Sequence, residues 1–92
     1  MHKQIRDFEW DAANVGHISR HSVRDYEVEY AILLDKPAYS RGRDDTYIAY
    51  GVTDEGRYLF IVFVVKEHGL IRVITARDMI KREKQYYYKR SR

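Results

Sequence analysis

Alternating polar and apolar side chains near the start of the chain predict a short strand followed by a helix. In residues 6–10 the alternation places Phe8 and Trp10 on one face, which suits a short strand at the edge of a sheet. Asp11 has the side chain of an N-cap residue. It therefore marks the beginning of a helix over about 12–21, where apolar positions recur with helical spacing.

A second helical pattern covers about 25–34 and begins with Asp25 and Glu27, acidic residues that suit the positive end of a helix dipole. Pro37, the only proline, follows this pattern closely and cannot continue a helix. Residues 38–44 are polar and rich in arginine, which predicts a loop. The chain therefore changes from helices to strands at this point.

The second half of the chain has the apolar runs and glycine-containing turns of a strand meander. Three strands are predicted, over about 45–51, 57–65 and 70–76. The turns between them supply Gly56 and Gly69 where a positive φ is favourable. The middle strand is apolar on both faces, so we expect it at the centre of the sheet. Short connections make the three strands antiparallel.

The predicted element order is β-α-α-β-β-β-α, because a last helix starts near Ala76 or Arg77. This order predicts one α+β domain over residues 1–92, in which a short strand and two helices pack on an antiparallel sheet of three to four strands. The two early helices cover one face of the sheet, because so short a helical pair has no core of its own. The last helix partly closes the other face or leaves it concave.

Composition narrows the class of protein. The 92 residues are 45% apolar and include nine tyrosines, which is typical of a folded chain. The absence of cysteine excludes disulfide scaffolds, thiolate zinc sites and cysteine nucleophiles. No apolar run approaches the roughly 20 residues of a membrane helix, and the first residues lack the hydrophobic region of a signal peptide. We therefore expect a soluble cytoplasmic protein without a membrane partner.

The charge is distributed unevenly along the chain. Residues 72–92 contain eight basic and two acidic residues, so they carry +6, while the preceding 71 residues carry −3 of the net +3. This distribution favours a polyanion as the partner of the C-terminal third, and a basic partner or water alone for the rest. A solubilising C-terminal tail is the alternative.

Arg72 and Arg77 are candidates for contacts with a phosphate. Arg77 falls where the last strand gives way to the last helix, so its guanidinium fork and the free N–H groups of a helix N-terminus would reach the same anion. The alternative is a structural ion pair with Asp78, with Glu83 or with the acidic second helix. The sequence leaves both interpretations open.

A second arginine group, Arg41, Arg43 and Arg57, lies in the loop and at the base of the central strand. This group contributes to an anion site only where the fold brings it beside the first group, and otherwise it is solvated surface. The last helix supplies further candidates for contacts with a polyanion, namely Lys81, Arg82 and Lys84.

Histidines and tyrosines are candidates for proton transfer and for base stacking. His17 and His21 lie four residues apart on one helix face, but without an HExxH motif or an obvious third ligand, so no metal site is predicted. His21 is either a proton carrier or a hydrogen-bonded structural histidine. Tyrosines on the strands and in the basic tail would stack on bases, serve the core or dock on the protein's own fold. They are Tyr47, Tyr50, Tyr58, Tyr86, Tyr87 and Tyr88. Tyrosines among basic residues are also typical of a surface that anchors a protein partner.

Several motifs of known chemistry are missing from the chain. It has no glycine-rich phosphate loop and no GxSxG motif, and its carboxylates do not pair as a metal-dependent nuclease requires. A site that cleaves phosphodiesters here would therefore be metal-free and built from arginines, tyrosine and histidine.

Three segments together resemble the BrnT family of toxins, the ribonuclease halves of type II toxin–antitoxin pairs. They are FEWDAANVGHISRHSV (8–23), RGRDDTYIAYGVTDEGRYLFIVF (41–63) and RVITARDMIKREKQYY (72–87). The FEWD start, Asn14, His21, the TDEGRYL turn and the ITARDM…RE…Y ending are jointly specific. One departure is Ser22, where the family usually has glycine. Serine at a positive-φ position costs about 1 kcal/mol.

The resemblance implies a RelE-like α+β fold and an endoribonuclease that works without a cofactor and stalls translation and growth. It also implies a protein partner, an antitoxin of the BrnA type with a ribbon-helix-helix domain. That domain binds DNA, so the toxin would meet DNA only indirectly.

The working hypothesis is that the RNA 2′-hydroxyl attacks its own neighbouring phosphate, which explains a preference for RNA over DNA. Arg72 and Arg77 would stabilise the charge on the phosphate oxygens. Arg43 or Arg57 would position the strand, and Lys81, Arg82 and Lys84 would attract the RNA backbone. His21 or Tyr47 would transfer the proton. The alternative function is a non-catalytic module of the same fold that binds RNA or a protein partner.

Overall fold

The structure, a computed structural model, describes residues 4–90 and confirms the α+β class. Its elements are β1 (Asp7–Glu9), α1 (Ala12–Ser19), α2 (Asp25–Leu33), β2 (Ala38–Arg41), β3 (Tyr47–Val52), β4 (Tyr58–Val65), a 3₁₀ turn (Glu67–Gly69), β5 (Leu70–Asp78) and α3 (Lys81–Arg90). None of the helices in this part of the chain has the length and apolar character that crossing a membrane requires.

The sheet has five strands, in the order β1-β5-β4-β3-β2, rather than the three to four predicted. The additional strand is β2, in the segment 38–44 that we expected to be a loop, and it pairs antiparallel with β3. Pairing supplies the backbone of β2 with hydrogen bonds regardless of its polar side chains. Its two apolar residues are also covered, since Ala38 is buried and Tyr39 packs against the core.

Strand β1 pairs parallel with β5, so the sheet is mixed rather than antiparallel. The antiparallel prediction rested on short connections, and in the structure these join β3, β4 and β5. Two helices and three strands separate β1 from β5 along the chain, so no tight turn sets their relative direction. The central position predicted for β4 is confirmed.

Helix α3 begins at Lys81, later than the predicted start near Ala76 or Arg77. Strand β5 continues to Asp78, because Arg77 pairs with Phe60 of β4 and one further pair follows. Arg77 is therefore a strand residue on the surface of the sheet, and not the first residue of a helix.

Asp11 and Asn14 cap α1 reciprocally, which confirms the N-cap predicted from the sequence. The Asp11 carboxylate accepts hydrogen bonds from the N–H groups of Ala13 and Asn14, and Asn14 Oδ1 accepts one from the Asp11 N–H at 2.8 Å. The buried Asn14 amide also donates to the carbonyls of Glu9 at 2.9 Å and Val73 at 3.1 Å. One side chain thus fixes α1 to both β1 and β5.

Three positions with left-handed backbone agree with the sequence predictions. Ser22, between the two early helices, has a φ of 59°, and Gly56 and Gly69 have φ values of 86° and 80°. These values let the chain reverse direction at each turn. Serine at residue 22 adopts a conformation that glycine would adopt without cost.

Helices α1 and α2 pack on one face of the sheet and enclose the main core. Ile18, Val28 and Ala31 from the helices meet Ile61 and Phe63 from β4, and all five residues are fully buried. Each large apolar side chain that is removed from water in this way contributes about 1.5–3 kcal/mol. The expectation that the two early helices cover one face of the sheet is therefore confirmed.

Tyrosine hydroxyl groups help to hold α3 on the opposite face. The Tyr86 hydroxyl donates to the Tyr39 carbonyl oxygen at 2.9 Å, and the Tyr87 hydroxyl donates to the Asp35 carboxylate at the same distance. Of the alternatives for the tail tyrosines, docking on the protein's own fold is the one that the structure shows. The other face is therefore partly closed by α3.

Gly51 lies where β3 passes directly against α2. A β-carbon at this position would lie 2.6 Å from the Ala31 carbonyl oxygen, a backbone atom that cannot rotate away. We expect Gly51→Ala to lower the free energy of unfolding by about 1–3 kcal/mol, the usual cost of overpacking a core. Urea denaturation measures this change.

The matched control is Gly16→Ala in α1, where the added β-carbon would meet no described atom within 4 Å beyond its chain neighbours and the backbone of its own helix. We expect this variant to gain about 0.5–1 kcal/mol, because alanine favours a helix more than glycine does. Two changes of equal sign and size would contradict the close approach at Gly51.

Candidate functional site

An open hollow of about 860 Å³ lies on the α3 face of the sheet. Its lining comes from the β2–β3 connection, from strands β3, β4 and β5, and from α3. The lining residues are Arg43, Tyr50, Phe60, Arg77, Arg82, Glu83 and Tyr86. Three guanidinium groups against one carboxylate give the hollow a net positive charge, which attracts an anion.

Two further hollows, of about 390 and 270 Å³, lie along α2 and have a different charge. The larger is lined by one arginine and one aspartate, Arg24 and Asp25, so their charges cancel. The charged residues of the smaller are Glu27, Asp54 and Glu55, which repel a phosphodiester. A smaller hollow of about 220 Å³ is lined by His17 and Arg72, but there the Arg72 guanidinium binds the Asp11 carboxylate. The hollow lined by Arg77 is larger and has three arginines against one carboxylate, so it is the candidate for an anionic substrate.

Arg77 is the best-anchored cation of this hollow. Its Cζ lies over the Phe60 ring, 4.0 Å from the ring centre. Its Nη1 and Nη2 atoms donate to the two Glu83 carboxylate oxygens, each at 2.9 Å, and Nη1 also donates to the Asp78 carbonyl at 3.0 Å. The hydrogen bond with Glu83 raises the pKa of Arg77, so the guanidinium stays charged.

The hydrogen bonds of Arg77 leave one edge of its guanidinium available. A guanidinium has five N–H donors, and within residues 4–90 no acceptor takes the Nε–H or the second N–H of Nη2. These two donors lie side by side, in the fork that fits two oxygens of a phosphate. The ion pair with Glu83, which the sequence offered as the alternative to phosphate binding, is therefore present and still leaves room for an anion.

Glu83 is the one buried charged residue of the described part of the chain, with 8% of its surface exposed. One of its oxygens accepts the Ile80 N–H at 2.9 Å and so caps the start of α3. Burial alone would raise the pKa of Glu83, but the hydrogen bonds from Arg77 and Ile80 outweigh it and hold this pKa below its usual value. A glutamate three residues into a helix is the sequence signal that predicts such a cap.

Arg43 reaches the hollow from a tight turn of the β2–β3 hairpin. The Thr46 N–H donates to the Arg43 carbonyl at 3.0 Å, and the two residues between them, Asp44 and Asp45, have φ values of 54° and 63°. Two left-handed central residues define a type I′ turn, the usual turn of a two-residue hairpin. The Thr46 hydroxyl donates to the same carbonyl at 2.6 Å. Two hydrogen bonds therefore hold the backbone of Arg43 in place.

Arg72 does not line the hollow. Its Nη1 donates to the Asp11 carboxylate at 2.9 Å, an interaction that raises the pKa of Arg72 and lowers that of Asp11. Arg72 and Arg77 pair with Val64 and Phe60 of β4, so about 13 Å of strand separate their backbones. The structure thus places Arg72 where α1 meets β5, away from the arginines that line the hollow.

Arg57 is likewise held in a structural network. Its Nε donates to the Asp78 carboxylate at 2.6 Å, and its Nη1 and Nη2 donate to the carbonyls of Ser22 at 2.6 Å and His21 at 2.9 Å. The hydrogen bond with Asp78 raises the pKa of Arg57. Arg57 therefore ties the α1–α2 turn to the end of β5. The working hypothesis needs Arg72 and Arg77 together with Arg43 or Arg57 at one phosphate. Of these four arginines, the structure brings Arg43 and Arg77 to the hollow.

Comparison with known families decides the class of protein. Residues 10–83 match the family described as ribonuclease toxin, BrnT, of type II toxin-antitoxin system. The chain belongs to the BrnT family. Membership implies an RNA substrate and a protein antitoxin, and the match includes all the residues that line the hollow except Tyr86. A comparison with curated proteins gave no match.

Two sequence candidates for proton transfer lie outside the hollow of this BrnT chain. His21 is exposed in the turn after α1, with its ring 6.1 Å from that of His17. Tyr47 stacks on Phe63 at 5.9 Å, and the Arg41 guanidinium lies 5.0 Å above the Tyr47 ring. The roles of these residues in catalysis and RNA binding stay predictions. Within residues 4–90, no group of three or more His, Cys, Asp or Glu residues is placed to hold a metal ion.

Helix α3 carries the remaining basic candidates. Arg82 lines the hollow, and Lys81 and Lys84 are exposed on the same helix. The Lys84 ammonium lies 5.2 Å from the centre of the Tyr58 ring. These charges extend the positive surface of the BrnT chain beyond the hollow.

The sequence did not assign Phe60 to a site, and it left Tyr50 and Tyr86 open between core, docking and stacking. In the structure the Tyr50 and Tyr86 rings lie 4.6 Å apart in the wall of the hollow, and the Tyr50 hydroxyl is 3.0 Å from the Ser40 hydroxyl. Alternation along β4 does place Phe60 on the face opposite to the main core. The register that sets Phe60 beneath Arg77 has no signal in the sequence.

Proposed function

We propose that this BrnT toxin cleaves RNA in the hollow, without a metal ion, through attack of the 2′-hydroxyl on the adjacent phosphate. One observation carries the proposal. The Nε and Nη2 donors of Arg77 form an unoccupied fork in a hollow that Arg43 and Arg82 also line. Such a fork binds two phosphate oxygens at once.

The assistance that the hollow supplies to the proposed reaction is stabilisation of charge. The 2′-oxygen forms a bond to phosphorus while the bond between phosphorus and the 5′-oxygen breaks. The 2′-oxygen loses its proton and the 5′-oxygen gains one, so the products are a 2′,3′-cyclic phosphate and a 5′-hydroxyl. Negative charge develops on the non-bridging oxygens, and a preorganised donor such as Arg77 accelerates a step of this kind by about 100-fold or more.

The remaining basic residues would hold the strand. Arg43 and Arg82 contact the backbone near the scissile phosphate, and Lys81 and Lys84 attract it along α3. The affinity that these residues contribute falls as the salt concentration rises, because each neutralised phosphate releases counterions. Cleavage of cellular RNA in the cytoplasm would then stop translation and growth.

We further propose that the antitoxin is of the BrnA type, with a ribbon-helix-helix domain through which the complex contacts DNA. The resemblance of residues 8–87 and the family match support this proposal. Co-expression with the small protein encoded beside the toxin gene tests it. We expect the two proteins to co-purify and RNA cleavage to stop, whereas a partner without a ribbon-helix-helix domain would contradict the proposal.

The decisive test of the activity is an RNA cleavage assay with purified protein in the presence of EDTA. We expect cleavage at the same rate with and without the chelator, and fragments that end in a 2′,3′-cyclic phosphate. Loss of cleavage in EDTA that added Mg²⁺ restores would contradict the metal-free mechanism. RNA binding without cleavage would favour the non-catalytic module.

A further inference from the structure

Glu83 is a carboxylate at the hollow to which the proposed reaction assigns no step. Its oxygens accept hydrogen bonds from Nη1 and Nη2 of Arg77 and from the Ile80 N–H, each at 2.9 Å. A buried negative charge beside an anion site repels the anion that the site would bind. The cap of α3 accounts for the bond with Ile80, whereas the two bonds with Arg77 need a role of their own that outweighs this repulsion.

We propose that Glu83 is a positioning residue that holds the Arg77 guanidinium in the orientation in which it meets the scissile phosphate. An arginine side chain has many rotamers, and ordering it costs conformational entropy. The two hydrogen bonds that Arg77 donates to Glu83, the contact with Phe60 and the bond to the Asp78 carbonyl fix this side chain before the substrate arrives. The donors that remain are those of the Nε/Nη2 edge.

This inference rests on the proposed function, because the orientation of Arg77 affects a rate only where a phosphate meets that edge. A preorganised donor stabilises developing charge without reorganising during the reaction. Glu83 itself is poorly suited to act as a general base. Both of its oxygens already accept hydrogen bonds, and these outweigh burial and lower its pKa, which weakens it as a base.

If Glu83 positions Arg77, removing its charge should leave RNA binding as tight as before or make it tighter, and should slow cleavage. In Glu83→Gln the hollow loses a negative charge, so we expect the KM for RNA to stay unchanged or to fall. The slope of log affinity against log salt should steepen by up to about 0.7, the value for one more phosphate contact on a single strand. The amide of glutamine accepts at one atom only, so it no longer holds both nitrogens of Arg77. We therefore expect kcat to fall by about 10-fold or more.

The experiment measures kcat and KM for wild type, Glu83→Gln and the matched control Glu67→Gln, at a temperature where circular dichroism shows each protein folded. Glu67 undergoes the same chemical change, but its side chain is 91% exposed and it does not line the hollow. We expect wild-type values for this control. As a readout independent of catalysis, the NMR signal of the Arg77 Nε–H should be distinct in wild type and averaged towards the position of a mobile arginine in Glu83→Gln.

The outcomes separate this inference from the proposed function. A folded Glu83→Gln variant with wild-type kcat, or with a raised KM at unchanged kcat, would overturn the positioning role while wild-type cleavage upholds the proposed function. An unchanged Arg77 Nε–H signal would overturn the positioning role as well. A wild-type protein that does not cleave RNA would overturn both.

Discussion

Replacing Arg77 with lysine is expected to lower kcat for RNA cleavage by about 100-fold while the protein remains folded. Lysine keeps a positive charge opposite Glu83, so the buried carboxylate is not left without a counter-ion. An ammonium group cannot, however, hold two carboxylate oxygens and present a second pair of N–H donors to a phosphate. Single-turnover cleavage of a labelled RNA measures the loss, and thermal unfolding verifies the fold.

The comparison variant is Arg72→Lys, the same change on the same strand. Arg72 binds Asp11 and lies outside the hollow, so the geometry predicts a change in kcat of less than about threefold, equivalent to well under 1 kcal/mol. The hypothesis from the sequence gives both arginines the same role and predicts similar losses. An equal fall in kcat for the two variants would therefore show that Arg72 takes part in the reaction, and it would contradict the assignment of the reaction to the hollow.

Much of the fold is predictable because local signals agree with the tertiary structure. The Asp11 cap, the left-handed turn positions and the two apolar faces of β4 each point to the arrangement that is observed. Strand β2 was missed because its sequence, AYSR before Gly42, has few apolar residues. Its pairing depends on the neighbouring strand β3, and a polar sequence does not reveal that neighbour.

The site is less predictable, because it depends on a one-residue irregularity in the sheet. Val62 pairs with Thr75 and the next residue, Phe63, pairs with Val73, so Ile74 is an extra residue in β5. Strict alternation from Val73 would place Arg77 on the core face. The bulge places Ala76 in the core instead, and it turns Arg77 to the face of the hollow.

Charge alone could not settle which arginines act together. The sequence correctly concentrates basic residues in the C-terminal third, and α3 and the end of β5 do meet at the hollow. The acidic partners of Arg57 and Arg72, however, come from distant segments, such as Asp78 for Arg57 and Asp11 for Arg72. The composition shows that the chain contains acidic residues, whereas only the fold shows which arginines they bind.

Replacing Phe63 with alanine is expected to lower the free energy of unfolding by about 3–5 kcal/mol. Phe63 is fully buried on the α1–α2 face, with the ring of Tyr47 at 5.9 Å and that of Tyr39 at 6.3 Å. Truncation removes the buried ring and leaves a cavity that the strands of a sheet cannot collapse to fill. Domains of this size have total stabilities of roughly 5–15 kcal/mol, so the variant should unfold at a much lower urea concentration.

The matched variant is Phe60→Ala, on the same strand and on the opposite face. Phe60 is only half-buried, so its loss should cost less stability, about 1–2 kcal/mol, but it removes the ring beneath the Arg77 guanidinium. We therefore expect the Phe60 variant to be folded with a reduced kcat. The Phe63 variant, measured at a low temperature where it is folded, should keep kcat near the wild-type value. A reduced kcat in the Phe63 variant together with an unchanged kcat in the Phe60 variant would contradict this assignment. It would place the reaction on the α1–α2 face of the sheet instead of the α3 face.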